Sequence, residues 1–223
     1  MSEYNSNWEA QKAKSSYHFN NDVMDPLYDR VERLGQFVGD WADEIEQVKQ
    51  TARPATWRNR SRTGKPNPMV AAEENDLLEA GMDPDQVFSH LEYNITPKFQ
   101  SMADTFGLVG GDYPPQIRVH VQWPGQVFTR HIDKLEKWCP EDPTRVARIM
   151  VMLTDWEQGQ TNQYGNFTYT NWKAGDIHTF DWINVPHSSA NASLEPRVSL
   201  LCTGVMTDKT LDFLQQEKRE FII

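Results

Sequence analysis

Residues 116–133 read QIRVHVQWPGQVFTRHID, and the period of this stretch decides the fold. Ile117, Val119, Val121 and Trp123 alternate with Arg118, His120 and Gln122, the two-residue period of a strand with one apolar and one polar face. Pro124-Gly125 marks a turn, and a second β-rich run, QVFTRHI, follows it. His131 and Asp133 stand two residues apart on that run or at its end, so their side chains leave the same face. An imidazole beside a carboxylate is two thirds of a metal site. Whether it is more than a chance pairing depends on what the remaining chain supplies.

Downstream, Gly and Pro punctuate further short runs: RVARIMVMLTDW, NFTYTNW, DIHTFDW and RVSLLCTGV. Gly159, Gly165 and Gly175 read as turn residues. Turn signals about every ten residues point to an antiparallel sandwich or barrel. The closing stretch, DKTLDFLQQEKREF, reads as a short helix. Upstream the texture differs. DVMDPLYDRVERLGQFVGDWADEIEQVKQ spaces Val23, Leu27, Val31, Leu34, Phe37, Val38 and Trp41 by threes and fours, the pattern of an amphipathic helix with Pro26 near its start. Further helices are expected near residues 70–80 and 84–106, the latter opened by Asp83 before Pro84 and broken at Pro97. His18 and His90 fall in these helical stretches. The expectation is a single α+β domain over residues 1–223 with a mainly β core. Residues 1–114 form a mostly helical flank, 115–206 a barrel-like catalytic core and 207–223 a C-terminal helix.

At 223 residues the chain buries a sizeable core without metal or disulfide staples. Its two cysteines, Cys139 and Cys202, stand in no paired spacing. No apolar run approaches the roughly 20 residues of a membrane span, and the first residues hold no signal-peptide core, so a cytoplasmic protein with no membrane partner is expected. A net charge of −10 disfavours nucleic acid as a partner. One segment runs the other way: Arg53 to Lys65 holds Arg53, Arg58, Arg60, Arg62 and Lys65 and no acid, leaving −15 on the rest. It reads either as an exposed loop or as an arm that engages an anionic substrate or partner.

A third metal ligand is available in His187, beyond a turn-rich segment, and ten residues later come Arg197 and Ser199, again on one strand face. Two histidines and one carboxylate on one face of an octahedron suit non-haem Fe(II) oxygenases. An arginine fork suits a carboxylate. His131-x-Asp133, then His187, then Arg197-x-Ser199, resembles the Fe(II)/2-oxoglutarate-dependent dioxygenase superfamily. PGQVFTRHID and WKAGDIHTFDWINVPHSSAN are similar to the segments that deliver the ligands there, with a tone near the aspartyl/asparaginyl and free-amino-acid hydroxylase branches. The resemblance covers about residues 116–205.

It implies a double-stranded β-helix (a jelly-roll or cupin-like barrel) with iron at His131, Asp133 and His187. Arg197, with Ser199 beside it, would bind the 5-carboxylate of 2-oxoglutarate, and Arg148 or Arg145 a further part of cosubstrate or substrate. The implied cofactors are Fe(II), 2-oxoglutarate and O₂. The implied reaction hydroxylates an unactivated C–H bond, of an amino acid or a peptide side chain, and releases succinate and CO₂. Two other readings stand beside it: a cupin-type metal enzyme without cosubstrate, which has no need of Arg197 and Ser199, and a non-catalytic binding module on the same barrel. His120 and His178, on core strands, are candidates for the surroundings of the site. Trp138 and Trp182 are candidates for its walls.

Overall fold

In the computed structural model of the chain, residues 31–55, 77–217 and 219–223 are described. Among them the elements run β1 (Glu32–Val38), α1 (Ala42–Thr51), β2 (Arg53–Pro54), α2 (Pro84–Val87), β3 (His90–Glu92), α3 (Pro97–Thr105), β4 (Gln116–Gln122), β5 (Val127–His131), β6 (Val146–Met152), β7 (Gln160–Tyr164), β8 (Phe167–Tyr169), β9 (Asp176–Thr179), β10 (His187–Asn191), β11 (Arg197–Val205), α4 (Asp208–Gln215) and β12 (Arg219–Ile222). The larger sheet has the order β12-β1-β9-β6-β11-β4-β3-β2 and the smaller one β5-β10-β7-β8. From β4 to β11 the chain passes back and forth between the two sheets. Each sheet thereby interleaves early and late strands, β4-β11-β6-β9 in one and β5-β10-β7-β8 in the other. This is the expected double-stranded β-helix, present as two facing sheets and not as a closed barrel. Among the described residues a single bridge, Phe88 to Val127, links the sheets by backbone.

Strand alternation divides the interior in two. On β4, β6 and β11, Val119, Val121, Ile149, Val151, Val198 and Leu200 point away from the small sheet. They pack beneath Trp41 and Val48 at α1, Phe99 and Met102 of α3, and Phe213 of α4. The intervening Met150, Met152, Leu201 and Val205 point toward the small sheet and join Tyr164, Tyr169, Trp172 and Phe180. Every residue of β6 and β11 is buried, which is why both strands read as nearly unbroken apolar runs. Each fully buried aliphatic side chain contributes about 1.5–3 kcal/mol.

Several local expectations change. Residues 32–38 form a strand, although Leu34 and Phe37 are three apart as on a helix. The pairing of β1 with β9 shifts register between Arg33 and Gly35, and this bulge inserts the extra residue that returns Phe37 to the face of Leu34. The amphipathic helix begins only at Ala42. Pro97 starts α3 instead of breaking a helix: Thr96 precedes it and its hydroxyl accepts from the Phe99 amide. Asp83 caps α2 as expected, but that helix is four residues long and His90 lies on a strand. α4 opens with a capping box between Thr207 and Thr210, and the chain then returns as β12, parallel to β1, where helix had been expected. Residues 77–79 are helical. His18, the start of the expected N-terminal helix, residues 70–76 and the basic residues Arg58 to Lys65 lie outside the described residues.

Gly35 has φ +143°, and a Cβ there would lie 2.4 Å from the Arg219 carbonyl oxygen of β12. Gly35→Ala is therefore expected to lower stability by about 1–3 kcal/mol, read as a fall in the urea or thermal unfolding midpoint, with Gly81→Ala, where a Cβ meets nothing within 4 Å, losing less.

Candidate metal centre

His131 ends β5 and His187 begins β10, and the two residues face each other directly in the antiparallel ladder of the small sheet. Their rings lie 4.2 Å apart between centroids. Asp133 sits two residues past the end of β5, where the chain has left the ladder and turns its carboxylate back on the two rings. Its Oδ1 is 3.9 Å from His131 Nε2 and its Oδ2 3.6 Å from His187 Nε2. One donor atom from each of the three lies within 4.8 Å of the others. The His187 Nδ1–H donates to the Val185 carbonyl at 3.3 Å, which leaves the Nε2 lone pair facing Asp133 and His131. Burial, and then the neighbouring His131, push His187 down to about 3, so it is a neutral imidazole. Burial alone would raise Asp133, but Arg148, followed by the two histidines, holds it at about 2. Two neutral or half-buried imidazoles and one ionised carboxylate, with a backbone carbonyl fixing one tautomer, fit a divalent transition metal.

The cavity beside this cluster opens to solvent and has a volume of about 60 Å³. Three guanidinium groups line it: Arg118 of β4, Arg148 of β6 and Arg197 of β11. Arg148 donates through Nη1 to Asp133 Oδ2 and through Nε to Thr203 Oγ1 at 3.1 Å. Arg197 donates through Nη1 to Asn162 Oδ1 at 2.6 Å and to the Thr161 carbonyl at 3.1 Å. Burial pulls Arg197 down to about 10, well above neutrality, so it stays charged. Its Nε is buried with no acceptor, as are Asn162 Nδ2 and His120 Nε2 close by. Buried donors left idle cost about 1–3 kcal/mol each, and their convergence on one cavity marks a place where a polar ligand completes the bonding.

Several polar ties link the two layers. Asp133–Arg148 and Arg197–Asn162 do so, as do the Gln122 Nε2 donor to Ser189 Oγ at 3.2 Å and the Tyr164 hydroxyl 2.9 Å from His178 Nε2.

His131, Asp133, His187, Arg148 and Arg197 are thus brought together. Arg145 is not: it is exposed in the turn before β6. Ser199 is on the same strand face as Arg197 but is buried between Met152 and His120 in the sheet, and it does not line the cavity. Trp138 and Trp182 belong to the core between the sheets and donate to the Pro114 and Val146 carbonyls; neither walls the cavity. His120 does line it, and His178 supports it through Tyr164. Lining residues that went unmarked in the sequence include Arg118, Asn162 and Tyr164. Arg118 was legible as a polar-face position of β4. The other two lie on β7, whose segment QTNQY carries no apolar period to announce a strand.

No family model matches this chain, and no curated protein matches it. Among solved structures it is similar to the viral collagen prolyl hydroxylase of Paramecium Bursaria Chlorella virus-1 in complex with 2OG, at 17% identity over 60% of this chain and 89% of that one, with a TM-score of 0.40. It is also similar to a cupin domain from Bordetella pertussis Tohama I, at 11% identity over 54% of this chain and 96% of that one, with a TM-score of 0.34. A third is a predicted oxalate decarboxylase from Thermotoga maritima, at 13% identity over 53% of this chain and 81% of that one, with a TM-score of 0.34. Among the described residues no helix is long and apolar enough to cross a membrane.

Because Asp133 is held near 2, below its ordinary 3.8, its ion pair contributes stability that is present above the ordinary value and lost as the pH falls through about 2. In metal-free protein, Asp133→Asn, which leaves Arg148 without its carboxylate, is expected to cost about 3–5 kcal/mol near neutrality. Urea unfolding measured from about pH 6 down to about pH 3 should find that gap narrowing.

Proposed function

We propose that this protein is an Fe(II)- and 2-oxoglutarate-dependent dioxygenase that hydroxylates an unactivated C–H bond of an amino acid or peptide side chain. The observation that carries this reading is that His131 and His187, which cluster with Asp133, line one cavity together with Arg197, a buried guanidinium whose Nε has no acceptor among the described residues. In this reading His131, Asp133 and His187 would hold the iron. Bound Fe(II) with 2-oxoglutarate supplies activation of O₂: one oxygen atom enters the C–H bond and the other enters succinate as CO₂ is lost.

The residues of the chain do the rest. Arg197, fixed by Asn162 and the Thr161 carbonyl, offers a rigid fork for the 5-carboxylate. Arg148 holds the Asp133 carboxylate ionised and in place. The Val185 carbonyl keeps the His187 lone pair on Nε2. Phe180, packed 4.7 Å from the His187 ring, and Met150 and Leu201 line the cavity with apolar surface that limits water.

A cosubstrate-free cupin-type metal enzyme shares the triad but has no use for the idle fork of Arg197. Anaerobic titration of Fe(II)-loaded protein with 2-oxoglutarate separates the two. The expected result is a weak visible charge-transfer band that is absent in Asp133→Ala and His187→Ala. In Arg197→Ala the band should need about ten- to a hundredfold more cosubstrate, the loss of a charge-assisted hydrogen-bond pair. Iron binding with no band at any 2-oxoglutarate concentration would assign the protein to the cosubstrate-free enzymes.

A further inference from the structure

The charges of the cavity do not balance. Three guanidinium groups line it and, among the described residues, no carboxylate does; Asp133 beside it pairs with Arg148, which leaves two positive charges in excess before a metal is counted. A bound divalent metal and a 2-oxoglutarate dianion cancel each other, so the surplus survives loading of the site.

The three arginines are not equivalent. Arg148 is occupied by Asp133 and Thr203, and Arg197 is partly occupied by Asn162 and Thr161. Among the described residues Arg118 has no such engagement: its Nε is buried without an acceptor there, and no carboxylate pairs with it. It is also set apart in space. On the β4–β11 ladder Arg197 lies opposite Gln122 and Arg118 opposite Leu201, so the two sit four residues apart along the strands; the charge of Arg118 acts on His120, Asp133 and Arg148, and that of Arg197 on His178 and, after Arg118, on His120. Arg197 therefore marks one end of the cavity and Arg118 the neighbourhood of the triad, on the β4 side, with Phe128 stacked on His120 next to it.

We propose that Arg118 is the substrate-anchoring cation of this site, and that the substrate carries a carboxylate which Arg118 grips while its carbon chain lies against Phe128 toward the triad. This rests on the dioxygenase reading and names its substrate class. A half-buried guanidinium with an idle Nε and no counter-ion presents the paired donors that a carboxylate accepts in two parallel bonds. Two carboxylate poles, one for cosubstrate at Arg197 and one for substrate at Arg118, keep the two acids from exchanging places.

The test is saturation-transfer NMR on full-length protein loaded with Zn(II), which is redox-inert, and 2-oxoglutarate. The probes are free L-amino acids against their primary amides, and N-acetyl-aspartate amide against N-acetyl-asparagine amide. At least one acid is expected to receive transfer that its neutral partner lacks. Arg118→Met should abolish that transfer, and Arg118→Lys, which keeps the charge but not the fork, should weaken it about tenfold. In Arg118→Met the affinity for 2-oxoglutarate, followed by the anaerobic Fe(II) band, should stay within about twofold of the native protein, while it falls in Arg197→Ala. Equal transfer to acids and amides, no transfer to any acid, or loss of 2-oxoglutarate affinity in Arg118→Met with substrate transfer intact would each overturn the assignment. Failure of the dioxygenase reading has a different signature: the band is missing in the native protein, whatever the NMR finds. Acid-selective transfer that survives in Arg118→Met and Arg118→Lys alike would also sink it.

Discussion

Two central strands must be buried on both faces, and most of what this protein is follows from that constraint. β6 and β11 lie in the middle of the larger sheet with helices on one side and the small sheet on the other. A strand in that position offers no solvent to its side chains, so every polar residue it carries has to find a partner inside the molecule. Most positions avoid the difficulty by being apolar. The exceptions, Arg148, Arg197, Ser199 and Thr203, all point the same way, between the sheets. A fold that holds two guanidinium groups there has committed itself to supplying anions or dipoles for them, and Asp133 and Asn162 meet only part of that demand.

The unmet part is what gives the cavity its character. A site that bound an apolar ligand would not tolerate idle donors on Arg118, Arg197 and Asn162 in its walls. The same donors make it selective, because a ligand lacking acceptors at those points would bury them for nothing. The imidazoles are fixed from another direction: by cross-strand pairing in the small sheet for their spacing, and by burial for their neutrality. Donor atoms come from one sheet and cationic poles from the other, and the distance between the sheets sets how the two can act on a single molecule.

Much of this was legible in the sequence because period-two alternation is a strong signal when one face is apolar. Ile117, Val119 and Val121 announced β4, and their spacing put Arg118 and His120 on the interior face. His131, Asp133, His187 and Arg197 were singled out by their order and intervals, and the structure brings them close to one another. What failed did so for local physical reasons. The bulge at Gly35 gave a strand the spacing of a helix. Pro97 was compatible with either end of a helix, and only the Thr96 hydroxyl decides which. β7 and β10 are polar on both faces because they border the site, so QTNQY and HSSAN read as loop. Ser199 shares a strand face with Arg197 but sits between Met152 and His120 in the sheet, and a shared face alone does not bring a side chain to the cavity surface. Asn162 and Tyr164 were beyond reach, since nothing in their neighbours' hydropathy fixes the register that brings them to the site.

The polar ties between the sheets have a consequence for motion. At the site end the two layers are fastened by Arg148–Asp133, Arg197–Asn162, Gln122–Ser189 and Tyr164–His178, not by interlocked aliphatic side chains. Two of these clasps use the arginines that an anionic ligand would also engage. A ligand that borrows a clasp loosens the layers unless it spans them itself, as a molecule bridging the triad and Arg197 would do. Occupancy and the rigidity of the sandwich are then coupled, and a ligand long enough to span the layers acts as a bolt across this edge.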